Sequence, residues 1–379
     1  MAVIKRVRLS EIAELVTKGT TPTTLGYEFQ DTGVNFLKIE CFSEKGDYIQ
    51  NKATHISEEC HEKLKRSQLK EGDILFSIAG VIGRVAIVTR NMLPANINQA
   101  LAIIRIKKDD IYLPYVKLIL TSPLIKKQFE RKKQGVAQLN ISLKDINDLE
   151  IPLPEIGKQI EYANSFKKVE KLIYTRQYQL QKLDELVKAR FVEMFGGIHD
   201  SSLYPYVPVK ELTHVISGGT PSRDVLEYWC DGTIPWVKTT ELQNKIITEV
   251  DEHITSKGLA ASSAKIVPPN TTLIAMYGQG KTRGMTGYLG ISASTNQACA
   301  CILPSPEINS VYIWKYFELS YDKLRNMAKG GNQPNLNGNM IKNFPVLVPP
   351  IKRQEEYVQF VNQVDKSKAV EGLYSSLCL

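Results

Sequence analysis

The run Ile156–Phe195, IGKQIEYANSFKKVEKLIYTRQYQLQKLDELVKARFVEMF, decides how the rest of the chain is read. It follows Pro152 and Pro154 and ends on Gly196-Gly197, and it holds no proline and one glycine, Gly157, at its mouth. Apolar residues recur at Ile156, Ile160, Ala163, Phe166, Val169, Ile173, Leu180, Leu183, Val187 and Met194. Steps of three, four and seven are helix and coiled-coil spacing. Lysines, glutamates and Arg176 fill most other positions. At about 1.5 Å per residue the run predicts a rod about 60 Å long. A long surface helix accounts for the pattern. A spacer between two domains accounts also for what flanks it.

The flanks repeat each other. Gln138-Leu139-Asn140, the strand-like run to Leu153-Pro154, and Ile156-Gly157-Lys158-Gln159 precede the rod. Gln333-Pro334-Asn335, Val346-Leu347-Val348-Pro349-Pro350 and Ile351-Lys352-Arg353-Gln354 stand 195 residues later. Asn98-Gln99-Ala100 returns as Asn296-Gln297-Ala298, and Gly19-Thr20-Thr21-Pro22 as Gly218-Gly219-Thr220-Pro221. Phe36-Leu37-Lys38 returns as Trp236-Val237-Lys238. The period is far too long for a solenoid unit, so it marks two domains, each followed by a helix.

A chain of 379 residues accommodates two such domains. Its 43% hydrophobic and 23% charged residues are those of a folded protein rather than a disordered one. A net charge of +8 suits a polyanion partner without requiring one. Six cysteines show neither a C-x-x-C pair nor zinc spacing, and read as small buried thiols. With no signal peptide in the sequence, a reducing cytoplasm is the expected location. The most apolar segment, 72–88, is broken by glycines and Arg84, and reads as a strand pair rather than a membrane span.

Within the first copy the pattern predicts a helix over 9–17, strands over 34–39, 74–78, 85–88 and 100–106, an amphipathic helix over 114–133, and a strand over 148–153. The second copy repeats this order over 207–350. A second rod starts at Ile351, with its stripe at Ile351, Tyr357, Phe360 (or Val361) and Val364. The class is therefore α+β: two similar domains of short strands and a few helices, separated by two long helices expected to pack antiparallel. Expected boundaries are 1–155, 156–198, 199–350 and 351–379. The second rod is shorter than the first, and Leu373-Tyr374-Ser375-Ser376-Leu377 reads as the opening of a further helical turn, so a truncated second rod is expected.

Catalytic chemistry is hard to place. Gly278-Gln279-Gly280-Lys281-Thr282 fits a relaxed P-loop, but three glycines at three-residue spacing follow where a helix is required, so a hairpin is expected. His55 and His253 hold matching places and read as structural. Neither a nucleophile–base pairing, metal-ligand spacing nor an adenine-methyltransferase Asn/Asp-Pro-Pro-Tyr motif stands out.

The ordered set of Gly-x-Thr-Pro, Asn-Gln and the Gln-x-Asn to Pro-x-Pro/Pro-Pro-x-Ile-x-x-Gln runs, present twice, resembles the specificity subunit of type I restriction–modification systems. The resemblance covers essentially the whole chain. It implies two target recognition domains that each read one half of a split double-stranded DNA sequence, and helices that bind methyltransferase (modification) subunits. Restriction subunits are a further partner it allows. It also implies that S-adenosylmethionine sits on the partner, that this chain is non-catalytic with no cofactor or metal of its own, and that no membrane is involved. The expected DNA contacts are Thr20, Thr21, Lys38, Arg84, Lys132, Lys133 and Gln138, then Thr220, Lys238, Gln279, Lys281, Arg283 and Gln333. Arg176, Leu180, Leu183, Val187 and Phe360 are the expected partner-binding positions on the helices. If the half-sites differ, sequence readers must differ between copies, so 278–284 is the expected reader in the second copy. Residues kept in both copies then serve the fold or the phosphates. Two other readings stand beside this one: a duplicated interaction scaffold without DNA, and an enzyme using the 278–282 loop.

Overall fold

The computed structural model describes residues 4–107, 110–130, 140–278, 280–328 and 335–376, with side chains to Lys368 in the last helix. The chain divides into two compact units, Met1–Leu172 and Ile173–Leu379.

In unit 1 the elements are β1 (Arg6–Arg8), α1 (Leu9–Ile12), β2 (Ala13–Lys18), β3 (Val34–Leu37), β4 (Thr54–Ile56), α2 (Glu58–Lys63), β5 (Ile74–Ser77), β6 (Val85–Ile87), β7 (Ala95–Ile97), β8 (Leu101–Ile106), α3 (Leu113–Leu120), α4 (Pro123–Glu130), α5 (Leu143–Asn147) and β9 (Glu150–Pro152); α6 (Ile156–Phe195) begins there. Strands order as β2-β8-β5-β6 and β4-β3-β7, and β1 pairs β9. Successive side chains of a strand point to opposite faces, and here both faces are covered. Ile74, Phe76, Ala102 and Ile104 pack on Val116, Leu120, Ile125 and Phe129 of α3 and α4. Leu75, Leu101 and Ile103 pack on Leu37, Ala95 and Ile97 of the three-stranded sheet.

Unit 2 repeats the plan with β10 (Tyr206–Pro208), α7 (Val209–Leu212), β11 (Val215–Ser217), β12 (Ile234–Val237), β13 (Lys245–Ile247), β14 (Glu252–Ile254), α8 (Ser256–Ala260), β15 (Thr272–Ala275), β16 (Thr286–Leu289), β17 (Ser294–Thr295), β18 (Cys299–Ile302), α9 (Ser310–Leu319), α10 (Tyr321–Met327), α11 (Gly338–Lys342), β19 (Pro345–Leu347) and α12 (Ile351–Ser376). Its sheets run β11-β18-β15-β16-β13 and β14-β12-β17, with β10 on β19. Among the described residues the one added strand is β13, parallel to β16. His55 and His253 pair at matching positions, opposite Asn35 and Pro235.

Two local expectations fail for physical reasons. The helix expected over 9–17 is one turn, α1, followed by β2, because residues 13–18 form an edge strand on the buried β8. Tertiary pairing overrides the short apolar spacing. The helix expected over 114–133 breaks at Thr121-Ser122-Pro123 into α3 and α4. Proline lacks the N–H that would continue the helix and its ring crowds the preceding turn.

The 40-residue α6 has the expected bounds, yet its stripe is not buried as expected. Ala163, Val187 and Met194 are buried, whereas Ile156, Ile160, Phe166, Val169 and Ile173 are 38–48% exposed. Its anchors are Phe191 and Phe195, both fully buried and absent from the expected stripe. Within unit 2, Lys368 Nζ donates to Asp184 at 2.6 Å, Arg190 lies 5.6 Å from the Phe360 ring, and Phe195 meets Tyr357 at 5.7 Å. As numbers rise along α6 they fall along α12, so the two helices pack antiparallel there, as expected. Tyr357, Val358, Val361 and Val364 carry the buried face of α12, while Ile351 is 41% exposed.

The repeated Gln at the mouth of each long helix has a structural reason. Gln159 is buried; its Oε1 accepts from Tyr112 N at 2.9 Å and its Nε2 donates to Pro154 O at 2.8 Å. Gln354 is buried; its Oε1 accepts from Asn309 N at 2.9 Å and its Nε2 donates to Pro349 O at 2.7 Å. One amide thus satisfies the backbone before α3 or α9 and locks the angle at which the long helix leaves. Gln159→Leu and Gln354→Leu each orphan a backbone N–H and a carbonyl. Each is expected to cost about 2 kcal/mol, read by urea denaturation of that unit. A loss below about 0.5 kcal/mol would contradict this role.

His199 follows α6 and is half-buried against the rings of Tyr316 and Phe344. Burial, then the nearby Lys323, lowers its pKa from 6.5 to about 4. Between those values the unfolded chain takes up a proton that the folded chain refuses. Stability is therefore full above pH 6.5 and falls as pH drops towards 4. His199→Phe is expected to flatten that slope in thermal melts; an unchanged slope would assign it elsewhere.

Candidate nucleic-acid interface

The repeated motifs converge at one end of each unit. In unit 1, β2 runs into Gly19-Thr20-Thr21, β3 into Lys38, and β7 into Asn98-Gln99. Asn98 N donates to Leu37 O at 3.3 Å, Gly19 N to Leu101 O at 3.4 Å, and Thr21 Oγ1 to Gln99 Oε1. Unit 2 repeats all three: Asn296 N donates to Val237 O at 3.0 Å, Gly218 N to Cys299 O at 3.4 Å, and Thr220 Oγ1 to Gln297 Oε1. Glycine is required in both. A Cβ on Gly19 would overlap the carbonyls of Ile97 and Asn98, and one on Gly218 those of Thr295 and Asn296. The Gly-x-Thr-Pro loop therefore lies directly on the Asn-Gln loop. Gln99 and Gln297 are exposed, and their carbonyl oxygens are engaged by the threonines. With the oxygen engaged, the N–H2 of each exposed amide is the end that can donate to a ligand. A hydrogen-bond donor on a protein surface suits a phosphate oxygen or a base acceptor.

The two differing loops start beside this cluster. Ile78 N donates to Ala100 O at 2.9 Å and Met276 N to Ala298 O at 2.8 Å. The chain that follows Gln138 or Gln333 returns to the same place: Ile141 N donates to Ile78 O and Leu336 N to Met276 O, both at 3.0 Å.

Several expected contacts are otherwise engaged. Arg84, expected as the charged reader of the first loop, donates Nη1 to Phe42 O at 2.8 Å and Ile39 O at 3.3 Å, so its guanidinium caps backbone carbonyls. Ser77 closes that loop, its Oγ donating to Val81 O and accepting from Arg84 N at 2.8 Å. Lys238 donates to Glu252 at 2.8 Å, which raises its pKa and occupies its charge. Lys38 instead sits 4.6 Å over the Phe29 ring. Thr20 is exposed, and Thr21 and Thr220 are half-buried.

The loop from Gly278 to Gly284 is a hairpin between antiparallel β15 and β16, not a P-loop. It is not the flexible display its glycines suggest. Tyr321 OH donates to Lys281 O at 2.7 Å, and Arg325 Nη1 donates to Gly280 O at 2.9 Å and Arg283 O at 3.1 Å. Lys281 is exposed, while Arg283 is half-buried with its Nε buried and unpartnered among the described residues. No local signal in the sequence marks Arg325 as a brace. Lys132, Lys133, Gln138, Gln279 and Gln333 lie outside the described residues.

Three of the five expected partner-binding positions pack inside unit 2. Val187 is buried in the core of unit 2, and Leu183 and Phe360 pack against that core, so these side chains serve internal packing. Leu180 and Arg176 are half-buried, and Arg176 Nη1 donates to Gln179 Oε1 at 3.0 Å.

Residues 3–185 and 203–373 each match the type I restriction modification DNA specificity domain. The chain belongs to that family. It is 25% identical over 161 residues to the specificity subunit of the Escherichia coli type I restriction enzyme EcoR124I/EcoR124II, covering 41% of this chain and 40% of the relative. The MjaIX specificity subunit of Methanocaldococcus jannaschii is 27% identical over 165 residues, covering 41% of this chain and 37% of the relative. The E. coli EcoBI specificity subunit is 32% identical over 142 residues, covering 37% of this chain and 28% of the relative. These matches span two fifths of each relative or less. In fold, the chain is similar to the type I restriction–modification S subunit from M. genitalium, with a TM-score of 0.57, 13% identity, and coverage of 99% and 92%. It is also similar to a chain from a structure of type I R-M system assembly, with a TM-score of 0.63, 16% identity, and coverage of 99% and 94%. Nothing among these similarities favours the scaffold or the nucleotide-enzyme reading. Among the described residues, no helix is long and apolar enough to cross a membrane, and no His/Cys/Asp/Glu group could hold a metal.

Proposed function

We propose that this chain is the non-catalytic DNA-recognition subunit of a type I restriction–modification complex and reads a split duplex sequence, one half per unit. The observation that carries the reading is the duplicated cluster: Thr21–Gln99 and Thr220–Gln297 recur with the same geometry, while the loops beside them differ in sequence and in bracing. A shared cluster suits contacts common to any duplex, and unlike loops suit unlike half-sites. Joining two readers on one chain makes the second binding event intramolecular and raises the affinity of the pair. The long helices, whose exposed apolar residues include Phe166, Leu172 and Tyr174, dock methyltransferase subunits. S-adenosylmethionine belongs to those subunits. Restriction subunits join through them.

The test is titration of the full chain onto mixed-sequence duplex DNA at several salt concentrations. Log affinity is expected to fall linearly with log salt, by about 0.9 per phosphate neutralised. Gln99→Leu and Gln297→Leu are expected to weaken all duplexes alike, by about 1 kcal/mol each. Absence of binding at low salt would instead favour a scaffold without DNA.

A further inference from the structure

We propose that Tyr321 and Arg325, on α10, are positioning residues for sequence recognition: they fix residues 280–284 of the loop in the one conformation that reads the second half-site, without touching DNA themselves. The inference rests on the reading that this loop faces bases. The loop carries three glycines with positive φ, Gly278, Gly280 and Gly284, so its backbone has little conformational preference of its own. A base reader of that kind places its side chains only if something else holds the main chain.

The hold is present and specific. Tyr321 OH takes the carbonyl of Lys281, and Arg325 Nη1 takes those of Gly280 and Arg283 and the Tyr321 hydroxyl at 3.0 Å. Gly284 lies against both: a Cβ there would stand 3.4 Å from Arg325 Cγ and from the Tyr321 ring. Both side chains thus grip backbone, and leave the Lys281 side chain exposed. Gripping carbonyls fixes where a reader points without limiting which reader stands there. One guanidinium spanning two carbonyls three residues apart also sets the pitch of the loop between them.

Unit 1 builds its loop differently. Ser77 closes the turn from within, and Arg84 of the loop itself reaches out to the carbonyls of Ile39 and Phe42. Among the described residues the brace belongs to the unit-2 loop alone, as a specificity element for one half-site should.

The experiment is selection of bound duplexes from a randomised DNA pool by the full chain and by four variants: Tyr321→Phe, Arg325→Met, Lys281→Ala and Arg283→Ala. Tyr321→Phe removes a single hydroxyl and retains the ring packing, so it folds even if Arg325→Met does not; thermal melting checks both. Tyr321→Phe and Arg325→Met are expected to relax preference by about tenfold at positions of the second half-site, the size of one lost hydrogen bond to a charged or closely held group. The first half-site and the overall affinity should stay as in the parent. If Lys281→Ala or Arg283→Ala changes the selected sequence while both α10 variants do not, the positioning role is wrong and the loop reading survives. If neither Lys281→Ala nor Arg283→Ala changes it, the loop is not the reader and the proposal falls with that reading. If Tyr321→Phe weakens all sequences equally, its role is purely structural.

Discussion

Phe191→Ala is expected to destabilise unit 2 by about 3–5 kcal/mol, the range for removing a fully buried aromatic ring. Phe191 is wholly buried, and its ring meets Phe195 at 5.0 Å, Tyr357 at 5.5 Å, Tyr316 at 5.9 Å and Tyr312 at 6.1 Å. Those partners come from α6, α12 and α9, so one side chain ties both long helices to the domain core. Two of them are further fixed by their hydroxyls, Tyr312 to Leu347 O at 2.9 Å and Tyr316 to Ile198 O at 3.0 Å, and they cannot swing in to fill the hole. Hydrogen exchange should rise in peptides of α9 and α12 and stay unchanged in β5 and β8. Leu172→Ala, at a position 58% exposed, serves as the control and should change stability by less than about 0.5 kcal/mol. A loss below about 1 kcal/mol for Phe191→Ala would mean that the helix is not anchored through this ring.

The second large effect is expected from Gly19→Val and Gly218→Val. Any Cβ at these positions overlaps main-chain carbonyls, of Ile97 and Asn98 in one unit and of Thr295 and Asn296 in the other. Main chain cannot rotate away as a side chain can, so the loop itself must lift. The cost is expected at the upper end of overpacking, about 3 kcal/mol. Lifting the loop separates Thr21 from Gln99, or Thr220 from Gln297, and frees the amide to turn. Because the differing loop starts beside this cluster, at Ile78 on Ala100 and at Met276 on Ala298, lifting it also displaces the reader, and each variant is expected to abolish recognition of one half-site and spare the other, so each is the other's control in DNA selection. Loss of both half-sites from a single substitution would contradict independent readers.

Much of this was legible because duplication makes a sequence its own comparison. The bounds of α6, the two-fold repeat and the hairpin at 278–284 follow from period, spacing and glycine placement. The motifs kept in both copies proved to be the ones that touch each other, as Thr21 does Gln99 and Thr220 does Gln297. Other features were not legible because they depend on partners distant in sequence. Residues 13–18 are a strand only because β8 offers them an edge. The ten-residue stripe of α6 looked like a packing surface along its whole length, but burial goes to Phe191 and Phe195 at one end, where the rings of α9 and α12 stand. Charge alone misled most. Arg84 and Lys238 were expected as polyanion contacts, and each is engaged inside the protein, on carbonyls or a carboxylate. A basic residue announces its charge in the sequence, but not which acceptor has already taken it.

The central claim is that each unit reads one half of a split sequence. The most direct test maps methylated adenines in DNA from cells that express the chain with a type I methyltransferase subunit, before and after residues 199–350 are exchanged for the second domain of a relative. The account predicts a motif of two short blocks with an unread spacer, and a change confined to one block after the exchange. A single unsplit motif, or an exchange that alters both blocks, would contradict it.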